Sequence, residues 1–341
     1  MRQKLPDFPW DALAPYGVIA RSHPEGAIDL SVGTPVDATP EFIQSALQQA
    51  ANSPGYPLTA GTPQLREAIQ KWARTQLGAT GDFGVLPLIG SKEFVAWLPT
   101  FIEAESVLYP KVAYPTYLVG ALLAQAEATA VEIDPATWQS ADMAWVNSPS
   151  NPTGRVHSES ELRAAIAWGR EHQSLVVSDE CYFEFGDGVE PTSILKFTDG
   201  DNRNILAVHS LSKRSSMAGY RAAFVIGDPA LIAQILEVRK HAGMIVPLPV
   251  QQAMVAALSD SAHVAEQRSK YNARRSTLRP ALEAAGFTIE DSVAWLAELG
   301  ILATPGVFYG DAGAQHIRVA MTATDEQIES AAARLHAKVR G

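Results

Sequence analysis

"NILAVHSLSKRSSMAGYRAAFVIG", residues 204–227, holds two short apolar runs on either side of a polar turn. The runs 204–209 and 222–227 are hydrophobic through their centres, 205–208 and 222–226, rather than alternating, as strands covered on both faces are. Between them stands Lys213, with Ser210 and Ser212 before it and Arg221 eight residues on. An ammonium group at the end of a buried strand is costly unless it has a partner or a function.

Similar runs recur upstream, at residues 85–89, 106–109, 128–133, 143–147 and 175–178. Helices with legible ends lie between them. "GTPQLREAIQKWARTQLG" offers Thr62 as N-cap, Pro63 at the first helical position, an apolar stripe through Leu65, Ile69, Trp72 and Leu77, and Gly78 as the stop. "SESELRAAIAWGREH" carries a capping box, Ser158 with Glu161 three residues on. Seven strands interleaved with helices predict an α/β fold. Its sheet is doubly wound and mostly parallel, sandwiched by helices, with a few strands running antiparallel. The first 45 residues are Pro-rich and irregular, and the chain beyond about 250 reads as helical. The expected division is an N-terminal arm and small-domain segment over 1–45, a large domain over 46–245, and a C-terminal small domain over 246–341.

The 341 residues are 47% hydrophobic and 19% charged, a soluble globular composition with room for a large and a smaller domain. A net charge of −10 argues against nucleic acid as a partner. One cysteine, Cys181, excludes an internal disulfide and a cysteine-built metal site, and no His/Asp cluster of metal type stands out. A reducing, cytoplasmic compartment is expected. The start lacks the apolar run of a signal peptide, and no stretch is long and apolar enough to predict a membrane span.

Ligands of open α/β sheets bind beyond the carboxyl ends of the strands. After residues 85–89 comes Gly90-Ser91-Lys92, a turn that opens a helix. It reads as a plain N-cap at Ser91 or as N–H groups offered to a phosphate. After 143–146 comes "NSPSNPTG", either a tight loop or a turn that aims Asn151 at a ligand. After 175–178 comes "DECY". Asp179 there needs a cationic or N–H partner, structural or functional, and Tyr182 follows it. His209 reads as a structural histidine and Cys181 as a small filler. His241 suits a substrate channel as well as a helix face. An acid, a lysine, an arginine, an asparagine, a tyrosine and a phosphate-ready turn at one sheet end suit pyridoxal phosphate. A lysine amine can form a Schiff base with its aldehyde, an aspartate can keep its ring nitrogen protonated, and arginine grips phosphate bidentately.

"SLSKRSSMAGYR" resembles the lysine motif of the fold-type I pyridoxal-phosphate aminotransferases, classes I and II, in which S-x-S-K is followed by an arginine eight residues on. "LSVGTP", "YPLTAGTPQLREAI", "NPTG", "SDECY" and "HIRVAMTAT" stand in the family's order across residues 30–324. The resemblance implies the following roles. Lys213 is the Schiff-base lysine and proton shuttle, and Asp179 pairs with the pyridinium nitrogen. Tyr182 and Asn151 contact the 3-oxygen, and Tyr114 stacks on the ring unless it is only a core tyrosine. Ser91, Lys92, Ser210 and Arg221 hold the phosphate. Tyr56 reaches the phosphate of a neighbouring subunit, since family members share sites across a homodimer. Arg318 clamps the substrate α-carboxylate, with the Gly33 backbone and Asn151 nearby. Substrates are small amino acids and 2-oxo acids. Ser212 matches the motif without a role.

Longer phrases, "DFPWDALAPY", "IGSKEFVAWLP", "VNSPSNPTGRV" and "GVFYGDAGAQHIRVAMTATDE" among them, resemble the actinobacterial succinyldiaminopimelate transaminases of lysine biosynthesis. A doubly anionic substrate needs a second cation, and Lys92, Arg214, Arg239, Lys240 and His241 are candidates. One departure stands out. A hairpin-bearing stretch of the family, roughly 20–25 residues by its usual pattern, is missing between Glu290 and Asp291. Rival readings keep the scaffold and change the chemistry, to an aminotransferase of aspartate or another amino acid, a β-lyase, or a ligand-sensing module without catalysis.

Overall fold

The structure is a computed structural model that describes residues 5–286 and 292–339. The junction of Glu290 and Asp291, where the family segment is missing, lies outside the described residues. In chain order the described strands are β1 (Ile28–Asp29), β2 (Gly84–Ile89), β3 (Ser106–Pro110), β4 (Glu127–Val131), β5 (Met143–Asn147), β6 (Leu175–Asp179), β7 (Ile205–Ser210), β8 (Ala222–Gly227), β9 (Ile301–Leu302), β10 (Thr304–Pro305) and β11 (Ile317–Arg318).

Strands β2 to β8 form one seven-stranded sheet in the order β2-β8-β7-β6-β5-β3-β4. All seven runs read from the sequence become strands of it. Only β8 runs against its neighbours, antiparallel to both β2 and β7. Side chains that alternate along the strands feed two separate cores. Ala222, Phe224 and Ile226 enter one with Trp72, Val146 and Val176. Ala223 and Val225 enter the other with Leu86, Trp145 and Val177. Strands β5 to β8 are buried along their whole length on both faces, which is why they read as unbroken apolar runs.

The helix after Thr62 runs Pro63–Trp72 and continues as a π-turn over Ala73–Leu77, with Gly78 left-handed behind it. Thr62 Oγ1 accepts from Leu65 N, the expected cap. The Ser158–Glu161 capping box closes in both directions.

Chain contacts divide the protein into two units. The larger holds Thr39–Val264, past the expected boundary at 245. The reason is helix Leu248–Ser259, which packs on helices Glu41–Gln49 and Pro63–Trp72. Its buried Gln251 accepts from Thr62 N at 2.8 Å and donates to Val246 O at 2.9 Å. The smaller unit holds Pro6–Ala38 and the chain from Ala265 on. In it β1 pairs with β9 and β10 with β11, over a core of Ile28, Leu30, Leu278, Leu296, Ile328 and Leu335. Asp37 there takes both Nη groups of Arg274, at 2.8 and 2.6 Å. Among the described residues no helix is long and apolar enough to cross a membrane, and no group of His, Cys, Asp and Glu could hold a metal ion.

Candidate active site

Parallel register brings the ends of three strands level. Asn147 of β5 pairs with Asp179 of β6, and Asp179 with Val208 of β7. The chain then turns through one short helix, Leu211–Arg214, which carries Lys213. Ser210 closes the start of that turn: its Oγ accepts from Ser212 N at 3.2 Å and donates to Ser212 Oγ at 2.9 Å. Ser212, without a role in the sequence, thus locks the lysine turn. The Lys213 ammonium lies 5.7 Å from the ring centre of Tyr182, within cation–π range.

Asp179 is buried, and its two oxygens are separately held. Cys181 N donates to Oδ1 at 3.1 Å, and the hydroxyl of Tyr117 donates to Oδ2 at 2.8 Å. Sequence reasoning missed Tyr117. The available signal was its place three residues after Tyr114, one helical turn apart. Its ring stacks on Trp145 at 4.9 Å. Burial, and then the adjacent Asp179 carboxylate, push its phenol well above the usual range, so it remains a donor. Tyr114 packs edge-on against Tyr117 at 6.0 Å, and burial lifts its phenol to about 12. The Cys181 thiol is likewise pushed well up, by burial first and then by Asp179. That suits a filler rather than a nucleophile. The "NPTG" loop is tied to β6 through another residue that the motif reading did not single out. Asn147 Oδ1 accepts from Asn151 N at 2.7 Å, while its Nδ2 donates to Asp179 O at 2.9 Å. The Ser148–Pro149 and Asn151–Pro152 peptides are cis.

A second feature comes from the antiparallel pair. Ile89 ends β2 opposite Ala222, the first residue of β8, so the flanking residues Gly90 and Arg221 meet. Gly90 has φ 81° and ψ 149°, and Arg221 itself is left-handed at φ 55°. A Cβ on Gly90 would stand 2.1 Å from Arg221 Nη2. Only glycine lets the guanidinium lie across this turn. Arg221 Nη1 is anchored on Ala218 O at 2.9 Å. Gly90, not Ser91, occupies the cap position of helix Ser91–Phe101, and no side chain caps it. The plain N-cap reading of Ser91 is therefore corrected. Lys92 is exposed, but what burial it has, and then Arg221, pull its ammonium pKa down. An uncapped helix start with two cations beside it fits a phosphate group.

The remaining predicted residues fall elsewhere. Tyr56 is wholly exposed (100%) on the larger unit. Arg318 and Gly33 belong to the smaller one, where Arg318 Nη1 donates to Tyr309 Oη at 2.9 Å and to Ser31 O at 3.3 Å. Of the five candidate cations for a second carboxylate, Arg239 is excluded: it is fully buried and spent on Glu93 Oε1 at 2.7 Å. Arg214 is also internal. Lys240 pairs with Glu237 at 2.6 Å, and His241 is exposed on the last turn of helix Pro229–Ala242. His209 is structural, buried between Trp72 and Phe224.

The profile of the family "Aminotransferase class I and II" matches residues 25–335. The chain belongs to this family. The aminotransferase is 50% identical to 4-dedimethylamino-4-oxo-anhydrotetracycline transaminase OxyQ of Streptomyces rimosus, over 98% of this chain and 99% of OxyQ. That alignment runs over 358 residues, more than this chain's 341, so OxyQ carries residues that this chain lacks. The aminotransferase is 31% identical to an LL-diaminopimelate aminotransferase of Dehalococcoides mccartyi, over 92% of each chain. Its fold matches the aminotransferase AspB of Helicobacter pylori with a TM-score of 0.89, at 24% identity over 99% of this chain and 100% of that one. The fold-type I architecture, the enzyme class and the cofactor expected from the sequence all hold: class I and II aminotransferases use pyridoxal phosphate.

Proposed function

We propose that this aminotransferase exchanges an amino group between N-succinyl-LL-2,6-diaminopimelate and 2-oxoglutarate, giving N-succinyl-2-amino-6-oxopimelate and glutamate. The observation that carries the reaction class is the juxtaposition at one sheet edge of Asp179 held by Tyr117, the lysine turn, and the Gly90–Arg221 cradle. The diaminopimelate-type substrate is supported by the sequence phrases and by the D. mccartyi relative. The 50% identity to OxyQ favours a second reading, a polycyclic ketone as amino acceptor.

Bound pyridoxal phosphate supplies an aldehyde and a ring that accepts the electron pair left when the donor's Cα–H bond breaks. Lys213 Nζ takes that proton and returns it one carbon away, so it acts as both base and acid. Asp179, oriented by Tyr117 Oη and Cys181 N, would pair with the ring nitrogen. Arg221, Ser210 and the first N–H groups of helix Ser91–Phe101 hold the phosphate, with Ser91 and Lys92 at its edge. Asn151 and Tyr182 would hydrogen-bond the 3-oxygen, and Tyr114 would pack on the ring. Arg318, backed by Tyr309, is the residue of the smaller unit that would grip the α-carboxylate, with the Gly33 backbone of the same unit. Lys92, exposed beside the phosphate turn, is the candidate that meets a second carboxylate. Exposed Tyr56 supports a homodimer in which it completes the partner's phosphate site. The free thiol of Cys181 supports a cytoplasmic setting.

The test is a donor panel with 2-oxoglutarate. N-succinyl-LL-2,6-diaminopimelate is expected to give the highest kcat/KM. Preference for aspartate, or for an amino-anhydrotetracycline run in reverse, would replace the substrate reading. Lys213→Ala is expected to fold, to bind the cofactor non-covalently and to lack turnover. Retained turnover in that variant ends the mechanism.

A further inference from the structure

Each of the two central residues is followed in sequence by a charged side chain that leaves the site. Glu180 follows Asp179, and Arg214 follows Lys213. Both are buried, and both line one small cavity together with His209, Trp72 and Phe224. Glu180 Oε1 accepts from Ile194 N at 2.9 Å. Four atoms around the cavity lack an aligned hydrogen-bond partner: Glu180 Oε2, His209 Nε2, Arg214 Nε and Arg214 Nη1. His209 Nε2 is 3.0 Å from Glu180 Oε2, and Arg214 Nε is 3.5 Å from Glu184 Oε1, close enough for attraction but poorly aimed. The guanidinium lies 5.3 Å over the Trp72 ring, which takes its charge but not its in-plane N–H groups.

Buried N–H and carboxylate groups without partners are expensive. The cavity is small but has room for a water molecule, with polar groups on its walls to hold it. A water there can accept from Arg214 and donate to Glu180. The lysine turn has reason to need such an anchor. It is a single helical turn, and one turn is the costly nucleus of a helix, unstable without outside support. Ser210 and Ser212 brace its start, and Arg214 is its last residue.

We propose that one buried water joins Arg214 to Glu180 and His209 behind the sheet edge, and that Arg214, through this bridge, is a positioning residue for Lys213. The bridge links the backbone that presents Lys213 to the backbone that presents Asp179. The inference rests on the reading of Lys213 and Asp179 given above, and the experiment separates the two.

A crystal structure of the holoenzyme is expected to show one water within hydrogen-bonding distance of Arg214 and Glu180. An empty cavity, or a direct Arg214–Glu180 bond, overturns the bridge. Arg214→Met keeps the stem and removes the donors, and Glu180→Gln keeps the shape. In urea unfolding of the cofactor-free protein, the double variant is expected to lose no more than the worse single one. Additive losses overturn the coupling. In the holoenzyme, Arg214→Met is expected to lower kcat about tenfold with KM within about threefold, and to slow formation of the borohydride-trappable bond to Lys213, with Arg214→Lys partly restoring both. A wild-type kcat and trapping rate in Arg214→Met overturns the positioning role. If Arg214→Met does not fold, Glu180→Gln carries the same expectation, and its silence is equally fatal. Turnover in Lys213→Ala would instead bring down the function itself. Inactive Lys213→Ala beside unimpaired Arg214→Met and Glu180→Gln would bring down only this inference.

Discussion

Gly90→Ala tests the phosphate cradle directly. At φ 81° and ψ 149° the backbone lies in a region that only glycine enters freely, so any Cβ there costs about 1–3 kcal/mol. That cost falls on the folded chain whether or not cofactor is present. A second cost is specific to the site. The new Cβ would stand 2.1 Å from Arg221 Nη2 and 2.7 Å from its Cζ, so the guanidinium must leave. Each hydrogen bond it makes to an anion is worth about 1.5–3 kcal/mol. Losing one therefore weakens cofactor binding by about ten- to 150-fold. The assay is equilibrium titration of cofactor-free protein with 4-deoxypyridoxine phosphate, which has the phosphate and ring but no aldehyde, so Lys213 chemistry does not mask the change. Gly243→Ala is the control. It too has a positive φ, 69°, but nothing lies within 4 Å of its new Cβ. It is expected to lose stability and keep wild-type affinity. Affinity of Gly90→Ala within about twofold of wild type would refute the cradle.

Tyr117→Phe keeps the stack on Trp145 and loses the hydroxyl bonded to Asp179. The cofactor-free protein is expected to lose about 1.5–3 kcal/mol in urea unfolding and the holoenzyme to lose kcat more than KM; unchanged values in both would show that Asp179 needs no such partner. Burial, and then Arg155, press the imidazole of His157 down to about 4 from its ordinary 6.5. The unfolded chain takes up this proton first as pH falls, so the stabilisation is whole above 6.5 and lost on the way to 4. It amounts to at most about 3 kcal/mol, and less in so far as the ring is partly exposed. His157→Gln is expected to flatten the urea midpoint across that window, and an equally steep profile in the variant would assign the slope elsewhere. Cys181, its thiol raised by burial and Asp179, is expected to react with iodoacetamide at pH 8 at least about tenfold more slowly than a free cysteine. Rapid labelling of the folded protein would contradict that environment.

Much of this enzyme is legible locally. Seven apolar runs and the capped helices between them are properties of short segments, since strands dry on both faces and helix ends need particular residues wherever they occur. The lysine turn, the "NPTG" loop and "SDECY" are local in the same sense. What the order of residues leaves open is which segments become neighbours. The sheet order sets β2 beside β8, and that pairing alone brings Gly90 to Arg221 across 131 positions of sequence. Likewise the packing of the helix that begins at Thr116 carries Tyr117 to Asp179, 62 residues away. It took the folded chain to retire Arg239, equally charged on paper, into a buried pair with Glu93, and to turn Arg214 away from the site that its neighbour Lys213 serves. Charge is written in the sequence, but a guanidinium's availability depends on what packs over it, and only tertiary contacts decide that.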